Sequence, residues 1–105
     1  MGDLQDYEIA VLLMMYDSKL IGKPNYKPIQ VVRSKVRWQQ IAAAHKTKDS
    51  FDKVARRLVK FRLLSDDGKS LQVLYLDKLG LAYVVGHLAQ KPNAMKDLEA
   101  KLSEK

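Results

Sequence analysis

Two short helical patterns joined by a tight turn constrain the fold of this chain more than any other feature. The first places four residues at the spacing of one helix face: Trp38, Ile41, Ala42 and His45. The second repeats that spacing with four apolar residues: Phe51, Val54, Ala55 and Leu58. Ser34 is expected to cap the first helix, Lys46 and Thr47 form the turn, and the second helix starts near residues 48–50. Both apolar faces are therefore predicted to point into one core.

The chain before this pair is predicted to hold a helix, a loop and a short strand. The helix begins near Asp3, which caps it, and ends at about Tyr16. Its apolar face marks it as an amphipathic support and is made of Leu4, Tyr7, Val11, Met14 and Met15. Residues 18–28 form a mobile loop because they contain four helix-breaking or turn-favouring residues, Gly22, Pro24, Asn25 and Pro28. The β-branched segment 29–32 favours a strand.

A hairpin and two further helices are predicted after the pair. Residues 63–65 and 71–76 have strand character and flank an Asp-Gly turn, a dipeptide that favours the positive φ angles of tight hairpins. Asp77 is placed to cap a helix from Lys78 to about Gln90, which is apolar on nearly all sides and must therefore be covered. The last helix, 94–103, has a narrow seam made of Met95, Leu98 and Leu102.

Positive charge is concentrated around the paired helices. Residues 18–63 contain thirteen of the nineteen lysines and arginines and only two acids, Asp49 and Asp52, which gives this block +11 and leaves −4 for the rest. Four bases lie opposite the apolar face of the second helix: Lys53, Arg56, Arg57 and Lys60. Guanidinium groups bind phosphate or guanine through two hydrogen bonds, and a solvated face needs no such concentration of charge. We therefore expect contact with nucleic acid.

Length and composition narrow the class of protein. With 105 residues and 47% hydrophobic content, we expect one small domain with a modest core. The chain has no cysteine, which excludes disulfides and thiolate metal sites and is compatible with a cytoplasmic protein. No apolar run reaches the roughly 18 residues of a membrane span, so we expect a soluble chain without membrane contact.

Catalytic and cofactor sites find no support in the sequence. His45 and His87 have neither cysteines nor helix-phased carboxylates beside them, so they form a poor metal-ligand set. The glycines form no phosphate-binding motif, and no nucleophile stands next to a base. We expect neither an enzyme nor a cofactor. Trp38 is in phase with Ile41 and is interpreted as a core residue instead of a base-stacking one.

Several segments together match a known pattern. They are Trp-Gln-Gln-Ile-Ala-Ala-Ala at 38–44, a turn, Phe51 with Val-Ala-Arg-Arg-Leu at 54–58, and Leu63-Leu64 before a hairpin. Leu-Asp-Lys-Leu-Gly at 76–80 is similar to a Leu-Thr-x-x-Gly junction after a wing. The chain thus resembles the winged helix-turn-helix regulators of prokaryotes. The resemblance implies an α+β winged helix-turn-helix domain over 1–90, with a C-terminal helix over 91–105.

The resemblance also implies a function and a set of DNA-contacting residues. The helix over 48–61 would enter the major groove of double-stranded DNA, and the protein would regulate transcription. The residues assigned to DNA contact are Lys46, Lys48, Ser50, Lys53, Arg56, Arg57, Lys60, Arg33, Lys35 and Arg37. Three features depart from the family pattern: His45 replaces an apolar residue, Arg62 replaces a glycine, and the wing tip carries Asp66 and Asp67 where bases are common.

The sequence is also compatible with partners other than double-stranded DNA. The acids of the wing tip favour an alternative, a winged-helix subunit that uses its fourth helix or its wing to hold a protein in a nucleic-acid-processing complex. RNA binding is a third alternative, although the chain lacks the aromatic sheet signature of single-strand readers. The seam of the last helix is narrow enough to favour a two-fold helix pair, so a homodimer is expected. The sequence does not identify an effector ligand.

Overall fold

Six α-helices and a three-stranded antiparallel sheet form the part of the chain described by the computed structural model, residues 4–103. The helices are α1 (Asp6–Asp17), α2 (Ile29–Lys35), α3 (Trp38–His45), α4 (Phe51–Lys60), α5 (Lys78–Gln90) and α6 (Ala94–Ser103), and a short 3-10 helix spans Lys23–Asn25. The strands are β1 (Lys27–Pro28), β2 (Leu64–Ser65) and β3 (Val73–Leu76), in the order β1-β3-β2. The expected α+β class is confirmed.

Helix α1 is the centre of the core, so its prediction as an amphipathic support is wrong. Its residues 10–15 are all buried, and it packs against α2, α3, α5, α6 and β3. A continuous buried run covers every side of a helix, which a single apolar face cannot do. The predicted cap Asp3 lies outside the described residues. The helix starts after Gln5, whose backbone N–H donates to Glu8 Oε1 at 2.8 Å.

The segment predicted as a strand at 29–32 forms most of α2 instead. Val32 and Val36 are four residues apart and fully buried, so helical spacing places both in the core. Ser34 lies inside α2 and does not cap α3. The chain passes from α2 to α3 through Arg37, which adopts a left-handed conformation with φ of 60°. This conformation ends one helix and lets the next begin at once.

The paired helices predicted from the sequence are present. Trp38 and Ile41 of α3 are buried, as are the four residues of the apolar face of α4, Phe51, Val54, Ala55 and Leu58. The indole of Trp38 lies 5.7 Å from the ring of Phe51 between centroids, so its assignment to the core is confirmed. Lys46 makes the turn with φ of 53°, and Ser50 Oγ caps α4 by accepting the Lys53 N–H at 3.1 Å.

The hairpin after α4 has the predicted order but shorter strands. Leu64 pairs with Leu76, and Ser65 pairs with Tyr75. The connection is closed by the Asp66 carboxylate, which accepts the backbone N–H groups of Gly68 and Leu71, each at 3.0 Å. The Asp66 side chain thus accepts hydrogen bonds from backbone N–H groups of the turn that are not paired with the other strand.

The last two helices differ from expectation in what they bury. Asp77 caps α5 as predicted, with Lys78 N–H donating to Oδ1 at 2.8 Å. Only Gly80 and Val84 of α5 are buried, however. The prediction that other parts of the chain cover this helix on nearly all sides is therefore wrong. In α6, Leu98 and Leu102 are buried within the chain, where the helix packs on α1, α3 and α5. None of the helices between residues 4 and 103 is long and apolar enough to cross a membrane.

Candidate nucleic-acid interface

The side chains assigned to DNA contact lie almost entirely on the surface. Nine of the ten residues are exposed, and Arg37 is half-buried. They do not form one continuous lining, because the structure brings them together in two grooves and leaves four outside both: Lys35, Lys46, Lys48 and Ser50. The geometry of each groove determines which charges are available to a ligand.

The larger groove lies between α1 and α4 and has a volume of about 380 Å³. We call it the α4 groove; its lining residues are Tyr7, Glu8, Asp49, Lys53, Val54, Arg56, Arg57 and Lys60. All four bases predicted on the outer face of α4 therefore share one concave surface. They share it with two carboxylates and a phenol, which changes the charge that the groove presents.

Arg57 forms an ion pair with a buried carboxylate, that of Glu8. Its Nε lies 2.9 Å from Glu8 Oε2, where the Glu8 side chain is 1% exposed and the Arg57 side chain 48% exposed. The other Glu8 oxygen accepts the backbone N–H of Gln5, and the Arg57 guanidinium also lies 5.4 Å above the ring of Phe61. A buried carboxylate needs such a partner because an unpaired charge in the core is costly. Arg57 thus attaches α4 to α1.

A second polar chain runs from α1 to the start of α4. The Tyr7 hydroxyl donates to Asp49 Oδ2 at 2.9 Å, while Lys53 Nζ lies 3.2 Å from Asp49 Oδ1. The Tyr7 hydrogen bond, followed by the bond from Lys53, lowers the pKa of the Asp49 carboxyl. The same bond, with burial as a second cause, raises the pKa of Tyr7. The charge of Lys53 is therefore partly neutralised inside the subunit.

Arg56 and Lys60 are the bases of the α4 groove that keep their charge for a partner. They are exposed and stand four residues apart on α4, so their side chains are neighbours on the helix surface. Neither side chain makes an ion pair or a hydrogen bond with another residue in the described range 4–103. A guanidinium and an ammonium placed side by side and open to solvent suit a polyanion.

The smaller groove, of about 220 Å³, lies at the junction of α2 and α3. Arg33 and Arg37 line it together with Gln39 and Gln40 from the first turn of α3. Arginine and glutamine side chains at a helix start are donors that bind phosphate oxygens. Gln39 and Gln40 were not among the residues assigned from sequence.

The acids at the tip of the hairpin have partners within the subunit. Asp66 binds the turn backbone, and Asp67 Oδ1 lies 3.5 Å from Lys23 Nζ of the 3-10 helix. Beside them, Lys69 Nζ stands 5.9 Å from the ring centroid of Tyr26. These contacts hold the hairpin against the loop after α1, and they account for the acids without an external ligand.

Sequence reasoning missed the acids and the phenol that share the α4 groove. One signal was present: Glu8 is three, four and seven residues from Val11, Leu12 and Met15, which are all buried, so helical phase places its carboxylate among core positions. A lone acid in that phase indicates a buried pair. Its partner Arg57 cannot be identified from spacing, because α1 and α4 are far apart in the chain.

No metal centre accompanies these residues: within residues 4–103, no three histidine, aspartate or glutamate side chains are grouped to hold an ion. Comparison of the chain with protein-family models, with curated proteins and with solved structures yields no match.

Proposed function

We propose that this protein binds double-stranded DNA through the α4 groove and regulates transcription. The observation that carries the proposal is the pair Arg56 and Lys60, two adjacent bases that are exposed and have no partner in the described chain. They lie on the second helix of a tightly joined pair, which is the helix that helix-turn-helix proteins insert into the major groove. These two side chains can pair with phosphate oxygens or donate hydrogen bonds to guanine edges.

The arrangement of elements supports the finer assignment to a winged helix-turn-helix. The turn at Lys46 joins α3 to α4, and the β2–β3 hairpin follows α4 directly. This is the order that the resemblance implies for a support helix, a recognition helix and a wing. The tip of the hairpin carries acids that are used within the subunit, so we place the main DNA contact on α4 and not on the wing.

The assigned residues divide into three roles under this proposal. Arg56 and Lys60 contact the DNA groove and its phosphates. Lys46 and Lys48 contact the DNA backbone at the turn before α4, and Arg33, Lys35 and Arg37 contact it beside α3. Arg57, Lys53 and Ser50 instead hold α4 in place, through Glu8, through Asp49 and through the helix cap.

Charge reversal at Arg56 and Lys60 tests the proposal. The double variant Arg56→Glu/Lys60→Glu should lose at least about tenfold in affinity for duplex DNA, measured by fluorescence anisotropy. A matched control is Lys91→Glu/Lys96→Glu, which changes the net charge equally at two exposed positions, one directly after α5 and one on α6. Equal losses in the two variants would show that only net charge matters, and the α4 groove would not be the interface.

Salt dependence gives the number of phosphates that are contacted. The slope of log affinity against log salt is negative, and each lost phosphate contact makes it less steep by about 0.9. Arg56→Gln/Lys60→Gln should therefore reduce its magnitude by roughly 2 if both residues contact phosphate. A flat response of the unmodified protein contradicts DNA binding. Selection of bound sequences from random duplexes then tests regulation, because a regulator enriches a defined sequence.

A specific observation also favours a second candidate, a subunit that holds another protein. Helix α5 leaves Leu79 and Val85 more than half exposed, which is an apolar surface of the kind that partners cover. Measuring the affinity for duplex DNA and the affinity for RNA, each at two salt concentrations, separates the candidates. Absence of binding to both nucleic acids would favour the protein-holding role.

A further inference from the structure

The first four helices end in the same way. Within two residues of its end, each is followed by a residue in the left-handed conformation, with φ between 53° and 63°. That residue is a lysine or an arginine in every case: Lys19 after α1, Arg37 after α2, Lys46 after α3 and Arg62 after α4. The three other non-glycine residues of positive φ between residues 4 and 103 all lie in the hairpin connection, within 67–71. A base at a left-handed position is therefore a feature of the helix ends.

Backbone hydrogen bonds fix this conformation at the helix ends. After α4, the Arg62 N–H donates to the Val59 carbonyl at 2.9 Å, and the Leu63 N–H donates to the Leu58 carbonyl at 3.0 Å. The same two bonds, at the same sequence spacing, close α1 and α3. This pattern requires a left-handed residue after the helix, and glycine is the residue that usually supplies it. The bases thus occupy positions whose backbone geometry favours glycine.

A lysine or arginine is less favourable than glycine in this conformation. In the left-handed region the Cβ atom of an L-residue comes too close to the following carbonyl oxygen, and glycine avoids the contact because it has no Cβ. A cation at a helix C-terminus interacts favourably with the helix dipole, but this interaction is weaker than the backbone cost and is screened by salt. A base in this position therefore lowers stability relative to glycine. Residues kept in sparsely populated backbone conformations at such a cost are typical of functional sites.

Three of these bases surround the helix pair α3 and α4. Arg37 directly precedes α3, Lys46 lies in the turn between the two helices, and Arg62 follows α4, two residues after Lys60. Lys46 and Arg62 are exposed, and the half-buried Arg37 lines the smaller groove. None of the three side chains makes an ion pair or a hydrogen bond with another residue in the described range 4–103. Their charges are therefore available to an external anion.

Solubility does not explain why the bases stand at these positions. A base on the outer face of a helix adds the same charge without a left-handed backbone. The ends of the paired helices differ from such positions in what they can reach. When one helix of the pair enters the major groove and the other crosses the backbone, residues at their ends lie near the phosphates that border the groove. The net charge of +7 also favours a polyanion. Phosphates of duplex DNA therefore fit these three bases.

We propose that Arg37, Lys46 and Arg62 contact DNA phosphates and that the chain keeps them at left-handed positions, at a cost in stability, for this contact. The inference rests on the proposed DNA binding and adds Arg62 to the contacting residues. In the sequence, Arg62 departs from the pattern of winged helix-turn-helix regulators because it replaces a glycine. The backbone there nevertheless has a φ of 63°, which is a glycine conformation. Only the charged side chain is new, and a phosphate contact gives it a role.

Glycine substitution separates DNA contact from stability. Arg62→Gly removes the charge and relieves the backbone, so the melting temperature should rise by about 2–5 °C. At the same time, affinity for duplex DNA should fall about fivefold at about 0.1 M salt, and the slope of log affinity against log salt should become less steep by about 0.9. Lys46→Gly should change both quantities in the same directions. Weaker binding by a more stable variant cannot result from unfolding.

Lys19→Gly is the matched control. Lys19 has the same backbone conformation, the same pair of hydrogen bonds and the same charge, but it follows α1 and does not border the helix pair. Lys19→Gly should gain stability like Arg62→Gly and keep its affinity for DNA within about twofold. Arg62→Lys retains the charge, so it should keep both the melting temperature and the affinity of the unmodified protein.

The outcomes distinguish this inference from the proposed function. Equal losses of affinity in Arg62→Gly and Lys19→Gly would show that only net charge matters and would overturn the inference. Unchanged affinity in Arg62→Gly overturns it as well, while the proposed function stands as long as Arg56→Glu/Lys60→Glu loses binding. A lower melting temperature of Arg62→Gly would show that the base serves the helix end instead. If the unmodified protein does not bind duplex DNA, the proposed function and this inference both fail.

Discussion

The guanidinium of Arg57 lies 2.9 Å from the carboxylate of Glu8 and joins the proposed recognition helix α4 to the central helix α1. Glu8 is almost fully enclosed, and Arg57 is half exposed. An arginine that the sequence assigns to DNA therefore balances a charge in the core. For this reason a charge reversal at Arg57 would disturb the fold as well as any ligand contact, and Arg56 with Lys60 makes the cleaner test.

Removal of Arg57 should destabilise the protein. Arg57→Gln leaves the buried Glu8 carboxylate without its cation, and the expected loss in the free energy of unfolding is about 1–3 kcal/mol, moderated by the solvent exposure of Arg57. Adding Glu8→Gln should recover part of this loss, because no unpaired charge then remains buried. Urea denaturation measures both. The control Arg56→Gln should change stability by less than about 0.5 kcal/mol, and an equal loss there would refute the pairing.

Stability should fall below neutral pH because of His45. Burial lowers the pKa of this imidazole below its ordinary value of 6.5; Lys101 of α6 lowers it further and Asp6 of α1 opposes the change. Its Nε2 is buried and has no hydrogen-bond partner among the described residues, which favours the neutral ring. Because the unfolded chain binds the proton more readily, this contribution is complete above pH 6.5 and is lost as the pH falls through the folded-state pKa.

Urea unfolding at about pH 7.5 and about pH 5 measures this effect. His45→Leu should reduce the difference between the two free energies of unfolding, and Lys101→Gln should reduce it by less. Titration followed by NMR gives the pKa directly, with His87→Gln used to assign the two imidazole signals. A difference that is unchanged in His45→Leu would exclude His45 as its source.

Gly80 should tolerate no side chain. A methyl group there would press on the Leu63 carbonyl and lie 2.7 Å from Leu76 Cδ1, so Gly80→Ala should cost about 1–3 kcal/mol. Gly86→Ala is the matched control in the same helix, and helix propensity predicts a gain of up to about 1 kcal/mol. Both are measured by thermal or urea unfolding at a concentration where the chain is monomeric. Similar effects of the two substitutions would contradict the close approach at Gly80.

The two acids of the hairpin tip should differ in their contribution to stability. Asp66 accepts two backbone N–H groups, and Asn has only one acceptor oxygen, so Asp66→Asn should cost about 1 kcal/mol. Asp67 makes an exposed ion pair with Lys23, and Asp67→Asn should cost less than about 0.5 kcal/mol. Urea denaturation compares the two variants. A larger loss in Asp67→Asn would be inconsistent with the turn geometry.

Local signals predicted the elements whose cause is local. The apolar phase of α4, the Asp66 to Gly68 turn and the cap Asp77 depend on residues within a few positions of each other. The exposed bases of α4 follow from the same phase. The prediction failed where packing overrode local preference. Residues 29–32 have strand propensity, but they are helical in the structure, and Val32 is buried in the core as part of α2.

The amino-acid sequence by itself determined the α+β class, the tight helix pair and the concentration of positive charge on its second helix, because periodicity, capping and charge are properties of neighbouring residues. Tertiary structure alone decided which of those charges stay available. It paired Arg57 of α4 with Glu8 of α1, left Arg56 and Lys60 without a partner among residues 4–103, and exposed one face of α5. Such a pairing joins residues from separate elements, and its cost or gain depends on burial, which exists only once the chain has folded.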